Sequence, residues 1–417
     1  DYSLDAVARE ILGTGKTITG HDRGEEIQQA FEHDRQRFVD YNLNDARLVL
    51  EILAKLELVE LAVERSLLTG LPPDRVGGAI AAFDSLYLTE LGRRGVVAPT
   101  VGQLEQPPSE TAGGHVLEPV PGLHENVLVF DFQSLYPSLI RTFEIDPLGY
   151  LPPEREGEVP PAALIRAPNG AAFRRETEER EGGILPRLLD DLFPRRAKAR
   201  EAGNEVASYA IKILMNSCYG VLGTPACRFY NPAIANAITS FGRTLLLWTR
   251  DRIEALGHPV LYGDTDSLFV ASGVEDPEAA WKLGEELLAE LGRDLARHIE
   301  ATWGVSSRMT LELETLYLKL LLPHVRHGAA GARKRYAGLV ADAQAPGGAR
   351  TVFTGMEVVR RDWTDLARSL QRRLYERLFT GLPVAEHLHE TVERLRAGEL
   401  DDQLVYRKGL RKDLSDY

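Results

Sequence analysis

Three aspartates stand beside short apolar runs in two distant parts of the sequence. Asp131 follows the apolar run 127–130, and Asp264 and Asp266 lie in a polar turn between two further apolar runs. Apolar runs bounded by turn residues predict strands. Carboxylates are ligands that Mg²⁺ prefers, and two such cations about 3.5–4 Å apart promote phosphoryl transfer. The acids therefore predict a two-metal phosphoryl-transfer site, although Asp-Thr-Asp taken alone is ordinary turn chemistry.

A second group of residues places cations on helical segments. Lys212, Asn216 and Tyr219 fall at positions i, i+4 and i+7 of a helical pattern, so they share one helix face. Arg196 and Arg200 repeat the i, i+4 spacing on the preceding helical segment. Because the planar guanidinium of arginine grips phosphate oxygens in pairs, these residues are candidates for binding a phosphate. A solvated helix surface with a buried tyrosine is the alternative.

Rigid helices or strands must position both groups of residues. Hydrophobic periodicity in the sequence predicts where these elements lie. The apolar runs beside the aspartates predict a strand at 127–130 and a β-hairpin over 258–270. The two helical patterns that carry the cations predict an antiparallel helical hairpin, with arms at 185–200 and 205–221. The other expected elements are helices over 1–63, 281–300 and 363–398, a strand over 310–322, and loops over 70–122 and 151–183.

Length and composition are typical of a globular protein with more than one domain. The 417 residues are 44% hydrophobic and 27% charged, which excludes a disordered or fibrous chain and exceeds one ordinary core. The net charge of −13 is only weak evidence against a nucleic-acid binder, because phosphate contacts come from local patches. No apolar run reaches the roughly 18 residues of a membrane helix. Two distant cysteines predict reduced thiols, and the start at Asp1 indicates a piece of a longer chain.

Several sequence motifs carry a family resemblance. The chain resembles the family B DNA polymerases, with the motifs in that family's order, at DFQSLYPSLI (131–140), KILMNSCYG (212–220) and YGDTDS (262–267). Similarity to bacterial members of the family extends to YNLNDARLV (41–49), GVLGTPACRF (220–229), RKRYAGL (333–339) and LVYRKGLRKDLSDY (404–417). The resemblance therefore covers nearly the whole chain.

The resemblance implies a catalytic site built on two aspartates. Asp131 and Asp266 would bridge two Mg²⁺ ions, and the backbone carbonyl of Phe132 would be a further metal ligand. Asp264 would support the site as a third acid. The implied reaction is template-directed addition of a deoxynucleotide to a primer 3′-hydroxyl, with release of pyrophosphate. Its substrates would be primer–template DNA and deoxynucleoside triphosphates.

The family pattern also implies a nucleotide-binding set. Tyr136 resembles a steric gate, an aromatic ring that would clash with a ribose 2′-hydroxyl. The other members would hold the triphosphate through backbone N–H groups or polar side chains: Ser134, Leu135, Arg196, Arg200, Lys212 and Asn216. The family commonly has lysine at the position of Arg200, which preserves the charge and changes the geometry.

Contacts to duplex DNA are implied for a third set, which comprises Tyr219, Gly220, Arg333, Lys334, Arg335 and Tyr336. Basic residues later in the chain resemble the start of a thumb that grips the same duplex: Arg360, Arg361, Arg407, Lys408, Arg411 and Lys412. Phosphate contact without base readout suits an enzyme that copies any sequence. Solvated charge runs are the alternative.

An exonuclease motif is also present in part. Tyr41 and Asp45 resemble the YxxxD motif of the 3′–5′ exonuclease that precedes the polymerase in this family. A two-metal exonuclease requires further carboxylates from earlier segments, and the motifs that supply them are not in this chain. Proofreading is therefore not predicted, and Asp45 is expected to have nothing to coordinate.

The implied fold is α/β (α+β), with the right-hand polymerase architecture: an antiparallel-sheet palm, two-helix fingers and a partial helical thumb. The expected boundaries are an exonuclease remnant at 1–63, a connector at 64–125, palm at 126–183 and 223–350, fingers at 184–222, and a truncated thumb at 351–417. A bacterial, cytoplasmic and nucleoid-associated location is expected, with no membrane and with a sliding clamp as a partner of the full-length protein.

Two other functions compete with this interpretation. The first is a non-catalytic, polymerase-like DNA-binding module, which would not need the metal-binding acids. The second is nuclease activity, which would belong to the missing upstream domain. Primer extension in Mg²⁺ distinguishes the first from a polymerase, and degradation of a labelled 3′ end identifies the second.

Overall fold

A computed structural model describes residues 2–19, 22–101, 113–177, 181–325, 328, 330–360 and 362–406. These residues belong to two compact units. The first unit comprises Asp1–Gln106 and Arg187–Tyr230, and the second comprises Pro107–Pro186 and Asn231–Tyr417.

Helices and strands are mixed along the chain. The helices are α1 (Leu4–Leu12), α2 (Arg23–His33), α3 (Arg35–Lys55), α4 (Leu58–Thr69), α5 (Ala79–Arg93), α6 (Leu135–Thr142), α7 (Ile184–Glu201), α8 (Glu205–Leu222), α9 (Pro232–Ala255), α10 (Pro277–Trp303), α11 (Asp365–Thr380) and α12 (Val384–Arg396). The strands are β1 (Gly122–Phe132), β2 (Tyr150–Leu151), β3 (Leu164–Arg166), β4 (Ala172–Arg174), β5 (Val260–Asp264), β6 (Ser267–Ala271), β7 (Leu311–Leu322), β8 (Tyr336–Ala341) and β9 (Ala349–Thr354).

The first unit is helical. Its helix α8 packs against α4 and α5, because apolar residues such as Ile211 and Leu214 recur on one face and are buried there. On α5, the rings of Phe83 and Tyr87 stack with centroids 5.2 Å apart. The predicted helical character of 1–63 is confirmed by α1 to α4.

The two predicted helices of the cationic segments are also present, as α7 and α8. Their short connection contains Gly203, whose φ of 68° lies in the left-handed region that glycine adopts without strain. The side chain of Asn204 then accepts a hydrogen bond from the N–H of Ala207 at 2.9 Å. This cap satisfies one of the free N–H groups at the start of α8.

A six-stranded sheet is the centre of the second unit. Its strand order is β5-β6-β1-β7-β8-β9, and every neighbouring pair is antiparallel. Strand β1 is paired on both edges, and α9 and α10 pack against the sheet. Val127 and Val129 of β1 are buried in a cluster with Tyr262, Phe269 and Tyr317. The structure confirms the predicted strands, hairpin and long helix, and a mixed fold with an antiparallel sheet.

Two expectations about loops are wrong. The segment 70–122 contains α5, whose apolar residues outweigh the Gly and Pro residues that flank them. The segment 151–183 contains β3 and β4, which form a small sheet with β2 in the order β2-β4-β3. These strands are only two or three residues long, so they leave almost no periodicity in the sequence.

Along the described ranges, no helix is both long enough and apolar enough to cross a membrane.

Candidate functional site

Asp131 and Asp266 meet at one end of the central sheet. Asp131 lies opposite Ser267 in the antiparallel register of β1 and β6, and Asp266 immediately precedes Ser267. The N–H of Phe132 donates to the carbonyl of Asp266 at 2.8 Å. Two acids that are 135 positions apart in the sequence are therefore held side by side by strand pairing.

The turn between β5 and β6 fixes the backbone that carries the acids. Asp264 pairs with Ser267, which leaves Thr265 and Asp266 as the two turn residues. Thr265 has a φ of 60°, an uncommon and strained conformation for a β-branched residue. Its N–H donates to the carbonyl of His115 at 2.8 Å, and its hydroxyl donates to Asp264 Oδ1 at 3.1 Å. These bonds hold a strained turn in one conformation.

The two acids resist ionising together. Burial, followed by the nearby charges of Asp266, Glu314 and Glu312, raises the pKa of Asp131 to about 8. Burial is also the largest cause of the raised pKa of Asp266, and the charges of Asp264 and Glu314 add to it. A cluster of half-buried carboxylates with raised pKa values is typical of a site that is completed by a cation.

Glu312 and Glu314 are acids of this site that the sequence analysis missed. Glu312 lies opposite Asp131 in the register of β1 and β7, so their side chains share one face of the sheet. Glu314 is the extra residue of a β-bulge, because the register shifts between Val129 and Phe130, and bulges re-aim side chains next to active sites. The available signal was the alternation of two acids within the predicted strand 310–322; no sequence signal indicated the bulge.

Asp264 differs from the other two aspartates because it has a basic partner. Lys334 Nζ lies 2.8 Å from Asp264 Oδ1, and the hydroxyl of Tyr262 lies 3.4 Å from Asp264 Oδ2. The N–H of Lys334 donates to the same hydroxyl at 2.9 Å. In this structure Asp264 therefore belongs to an ion pair, whereas Asp131 and Asp266 face other acids.

The donor set suits Mg²⁺ in chemistry and number. Among the residues that the structure describes, no three His, Cys, Asp or Glu side chains form a group able to hold one ion. Mg²⁺, however, is usually bound by one or two carboxylates, with water and substrate phosphates in the remaining positions. Asp131, Asp266 and the carbonyl of Phe132 fit that pattern, because the two carboxylates are hard oxygen donors whose mutual repulsion a cation relieves.

Three of the predicted nucleotide-binding residues follow β1 directly. Ser134 precedes α6 with a φ of 51°, and Leu135 is buried in the first turn of that helix. Tyr136 is partly exposed, and a Cβ built on Gly242 of α9 would lie 3.9 Å from Tyr136 Cε1. The backbone of α9 thus closely supports the helix that carries the tyrosine.

The other predicted nucleotide-binding residues lie on the helices of the first unit. Lys212, Asn216 and Gly220 are exposed along one face of α8, opposite the residues buried against α4 and α5. Burial raises the pKa of Tyr219, which lies beside this face. On α7, Arg200 is exposed and Arg196 is partly buried.

The predicted DNA-binding segment is engaged in contacts within the protein. Arg333 forms an ion pair with Glu118, 2.9 Å apart, in which both side chains are more than half exposed. Arg335 pairs with the buried carboxylate of Glu357. Tyr336 begins β8 and packs edge-on against Phe269 at 5.2 Å. Only Arg333 and Lys334 of this segment therefore present largely exposed cationic side chains.

The residues of the predicted thumb are described only in part. Arg360 pairs with Asp362 at 2.7 Å, with both side chains about half exposed. Arg361, Arg407, Lys408, Arg411 and Lys412 lie outside the described residues.

Asp45 of the exonuclease-like motif forms an ion pair within the protein. Lys16 Nζ lies 2.5 Å from Asp45 Oδ2 and 3.4 Å from the hydroxyl of Tyr41. The bond to Asp45 is the largest cause of the raised pKa of Lys16. The sequence analysis missed Lys16, since a lone lysine outside a recognised motif carries no signal.

The chain is similar in sequence to known DNA polymerases. Residues 77–410 match the family model described as DNA polymerase family B. The chain is 42% identical over 427 aligned positions to DNA polymerase II of Escherichia coli, covering all of this chain and 52% of that protein. It is 30% identical over 449 positions to the DNA polymerase delta catalytic subunit of Arabidopsis thaliana, covering all of this chain and 39% of the relative.

A third relative is similar over the whole chain. The DNA polymerase of Thermococcus gorgonarius is 30% identical over 439 positions, which cover all of this chain and 52% of the relative. The chain thus spans about half, or less, of the length of these relatives. Because the family model matches well over half of the residues, the chain belongs to the family B DNA polymerases.

Proposed function

We propose that the chain is the polymerase portion of a DNA-templated DNA polymerase, which adds deoxynucleotides to a primer 3′-hydroxyl and releases pyrophosphate. The observation that carries this proposal is the pairing of β1 with β6, which brings Asp131 beside Asp266. Both carboxylates have raised pKa values, as expected of a site built for cations.

In this proposal the six-stranded sheet of the second unit is the centre of the palm. Helices α7 and α8 are the fingers, and α11 and α12 begin the thumb. The expected boundaries are 126–183 and 223–350 for the palm, 184–222 for the fingers and 351–417 for the thumb. The segment 1–63 corresponds to the end of an exonuclease domain and 64–125 to a connector. The presence of a six-stranded antiparallel sheet and of two successive helices in the expected order supports this division.

Asp131, Asp266 and the carbonyl of Phe132 would hold two Mg²⁺ ions. When bound, the ions would activate the primer hydroxyl and neutralise the charge on the leaving pyrophosphate. Asp264 would act through its ion pair with Lys334, which keeps the strained turn in place. Glu312 and Glu314 would add negative charge that strengthens cation binding at the two aspartates.

Two sets of residues are proposed to bind the nucleotide. Arg196, Arg200 and Lys212 would neutralise the triphosphate, and Asn216 shares the exposed face of α8 with Lys212. Ser134 and Leu135 would donate backbone N–H groups to phosphate oxygens. Tyr136 would pack against the sugar and exclude ribonucleotides.

Duplex DNA would be held by phosphate contacts. Tyr219 and Gly220 would lie near the templating base pair, and the exposed side chains of Arg333 and Lys334 would reach phosphates. Arg335 and Tyr336 would brace this segment, since each packs within the protein. A sliding-clamp partner, a nucleoid location and the exonuclease role of Tyr41 and Asp45 stay predictions.

Primer extension tests the proposal directly. With Mg²⁺, primer–template DNA and deoxynucleotides, the wild-type chain should extend the primer. Asp266→Asn should lower the rate by about 10³-fold or more while primer–template affinity changes little, because only a metal ligand is lost. Asp251→Asn, which alters an exposed acid on α9, is the matched control and should extend normally.

Two outcomes would contradict the proposal. Near-normal extension by Asp266→Asn would refute the metal assignment. DNA binding by the wild-type chain without any extension would favour the non-catalytic module, and shortening of a labelled 3′ end would favour a nuclease.

A further inference from the structure

A buried carboxylate contacts the segment that is proposed to bind DNA. Glu357 follows the end of β9 by three residues, and its side chain is only 8% exposed. One of its oxygens accepts a hydrogen bond from the guanidinium of Arg335, and the other accepts a bond from Gln371 Nε2 at 2.8 Å. Glu357 therefore joins the segment 333–335 to helix α11, which carries Gln371.

Helix α11 fixes the position of Glu357 through the next residue as well. The N–H of Val358 donates to Gln371 Oε1 at 2.9 Å, and Arg368 Nε donates to the carbonyl of Val358 at 3.1 Å. Burial acts to raise the pKa of Glu357, but the bonds from Gln371 and Arg335 lower it to about 2. Glu357 is therefore ionised at neutral pH, and a hydrogen bond between two charged groups is stronger than a neutral one.

The segment that Glu357 contacts contains a strained residue. Lys334 has a φ of 58°, which is uncommon for a residue with a side chain. Its N–H donates to the hydroxyl of Tyr262 at 2.9 Å, and a Cβ built on Gly355 would lie only 2.0 Å from its carbonyl oxygen. Such a conformation persists only where the surrounding contacts hold it, and it is often found where a protein clamps a ligand.

The segment is not held by close packing on the side of α11. A cavity of about 520 Å³ lies there, and its lining includes Arg333, Arg335 and Glu357 together with the rings of Trp363 and Tyr375. Protein interiors are ordinarily close-packed, and packing then restrains each side chain. The cavity instead leaves room for the segment to move. The bond between Arg335 and Glu357 is therefore a main support of the segment on this side.

We infer that Glu357 is a positioning residue for DNA binding: its bond to Arg335 holds the strained conformation in which Arg333 and Lys334 present their side chains to phosphates. The inference rests on the proposed function and deepens it, because Glu357 is itself too buried to contact DNA. Loss of this support should reduce the number of phosphate contacts as well as the affinity. The slope of log Kobs against log salt concentration measures that number.

Glu357→Gln is the first test. An amide nitrogen cannot accept a hydrogen bond, so the variant loses the negative charge and at least one of the two bonds. Its affinity for primer–template DNA, measured by fluorescence anisotropy, should be about tenfold lower than that of the wild-type chain. The slope of log Kobs against log salt concentration should be smaller by about 0.9 or more, as if at least one phosphate contact were lost.

Asp294→Asn is the matched control for this substitution. Asp294 of α10 is a carboxylate of similar burial, with a side chain 10% exposed, and it pairs with Arg252 at 2.6 Å and with Arg297. The control should lower the melting temperature, because it breaks comparable ion pairs, and it should leave DNA affinity and the salt slope unchanged. All affinities are compared at a temperature at which far-UV circular dichroism shows the chains to be folded.

Gly355→Ala tests the inference by a second route, which also serves if Glu357→Gln does not fold. The new Cβ would press against the carbonyl of Lys334 while every charge stays in place. Affinity and salt slope should fall as in Glu357→Gln, because only the position of the segment changes. Gly347→Ala is the control: Gly347 also has a positive φ, of 82°, but a Cβ there would have nothing within 4 Å.

A chain that carries both Arg333→Gln and Lys334→Gln separates a positioning role from a merely structural one. If Glu357 acts through these two cations, adding Glu357→Gln to that chain should weaken DNA binding much less than it weakens binding by the wild type. An equal loss in both backgrounds would contradict the inference.

Two further outcomes distinguish the inference from the function on which it rests. A wild-type salt slope in both Glu357→Gln and Gly355→Ala would refute the positioning role, while primer extension by the wild-type chain would leave the proposed function standing. A wild-type chain that neither binds primer–template DNA nor extends a primer would contradict the proposed function, and the inference would fall with it.

Discussion

At the scale of single residues, the raised pKa of Asp131 makes the stability of the protein depend on pH. The pKa of Asp131 is about 8 in the folded protein, against 3.8 for an ordinary carboxyl. Between these pH values the folded chain binds a proton that the unfolded chain has released, so stability falls as pH rises from about 4 to about 8. Asp131→Asn should remove this dependence and be more stable than the wild type at pH 8, by about 1.4 kcal/mol or more.

Denaturant unfolding at pH 5 and pH 8 measures the effect. The advantage of Asp131→Asn should be larger at pH 8 than at pH 5, because the stability of the wild type falls between these pH values and that of the variant does not. Mg²⁺ should stabilise the wild type at pH 8 and have little effect on the variant, since a cation competes with the proton for the same oxygens. Parallel pH profiles for the two proteins would mean that Asp131 does not carry the raised pKa.

Selection of deoxynucleotides over ribonucleotides is expected to depend on Tyr136. Tyr136→Ala removes the ring that would clash with a 2′-hydroxyl, so the preference for deoxynucleotides over ribonucleotides should fall by about tenfold or more. Single-nucleotide incorporation with both substrates measures the ratio of kcat/KM values. Tyr136→Phe keeps the ring and is the control, with selectivity close to the wild type. A preference that survives in Tyr136→Ala would assign the gate to another residue.

At the scale of elements, the turn between β5 and β6 is braced by the segment that precedes β1. A Cβ built on Gly114 would lie 2.4 Å from Thr265 Oγ1 and 2.9 Å from Thr265 Cβ, whereas Gly113 has nothing within 4 Å. Gly114→Ala should displace the turn and Asp266 with it, and lower the extension rate by about tenfold or more. Gly113→Ala, one residue away, is the matched control in the same single-turnover assay. Equal rates in the two variants would mean that the turn tolerates displacement.

The elements also show what the sequence can and cannot reveal. The strands beside Asp131 and Asp264 are predictable because long apolar runs and a polar two-residue turn encode them locally. The position of Glu314 is not, because a β-bulge depends on how β7 aligns with β1. The bond from Asp146 to Leu185 joins residues 39 positions apart, and no local pattern encodes such a contact. Helix α5 is hard to recognise from the sequence, because the Gly and Pro residues on both sides of it are typical of loops.

At the scale of the whole molecule, the protein and the DNA that it is proposed to bind both carry negative charge. The chain carries 49 basic and 62 acidic residues, for a net charge of −13, so the net charge itself does not attract DNA. Affinity must then come from a few local cations whose contacts release counterions. A molecule of this kind should bind DNA with a modest salt dependence, which reflects the small number of phosphate contacts and not the total basic content.

Arg333 offers a test of that local patch. Its ion pair with Glu118 is exposed on both sides and therefore contributes little to stability, so the guanidinium can exchange Glu118 for a phosphate. Arg333→Gln should weaken primer–template binding and reduce the slope of log Kobs against log salt concentration by about 0.9. Arg293→Gln changes an exposed arginine on α10 and should leave the slope unchanged. Equal slopes for Arg333→Gln and the wild type would remove Arg333 from the DNA-binding surface, because each phosphate contact contributes about 0.9 to the slope.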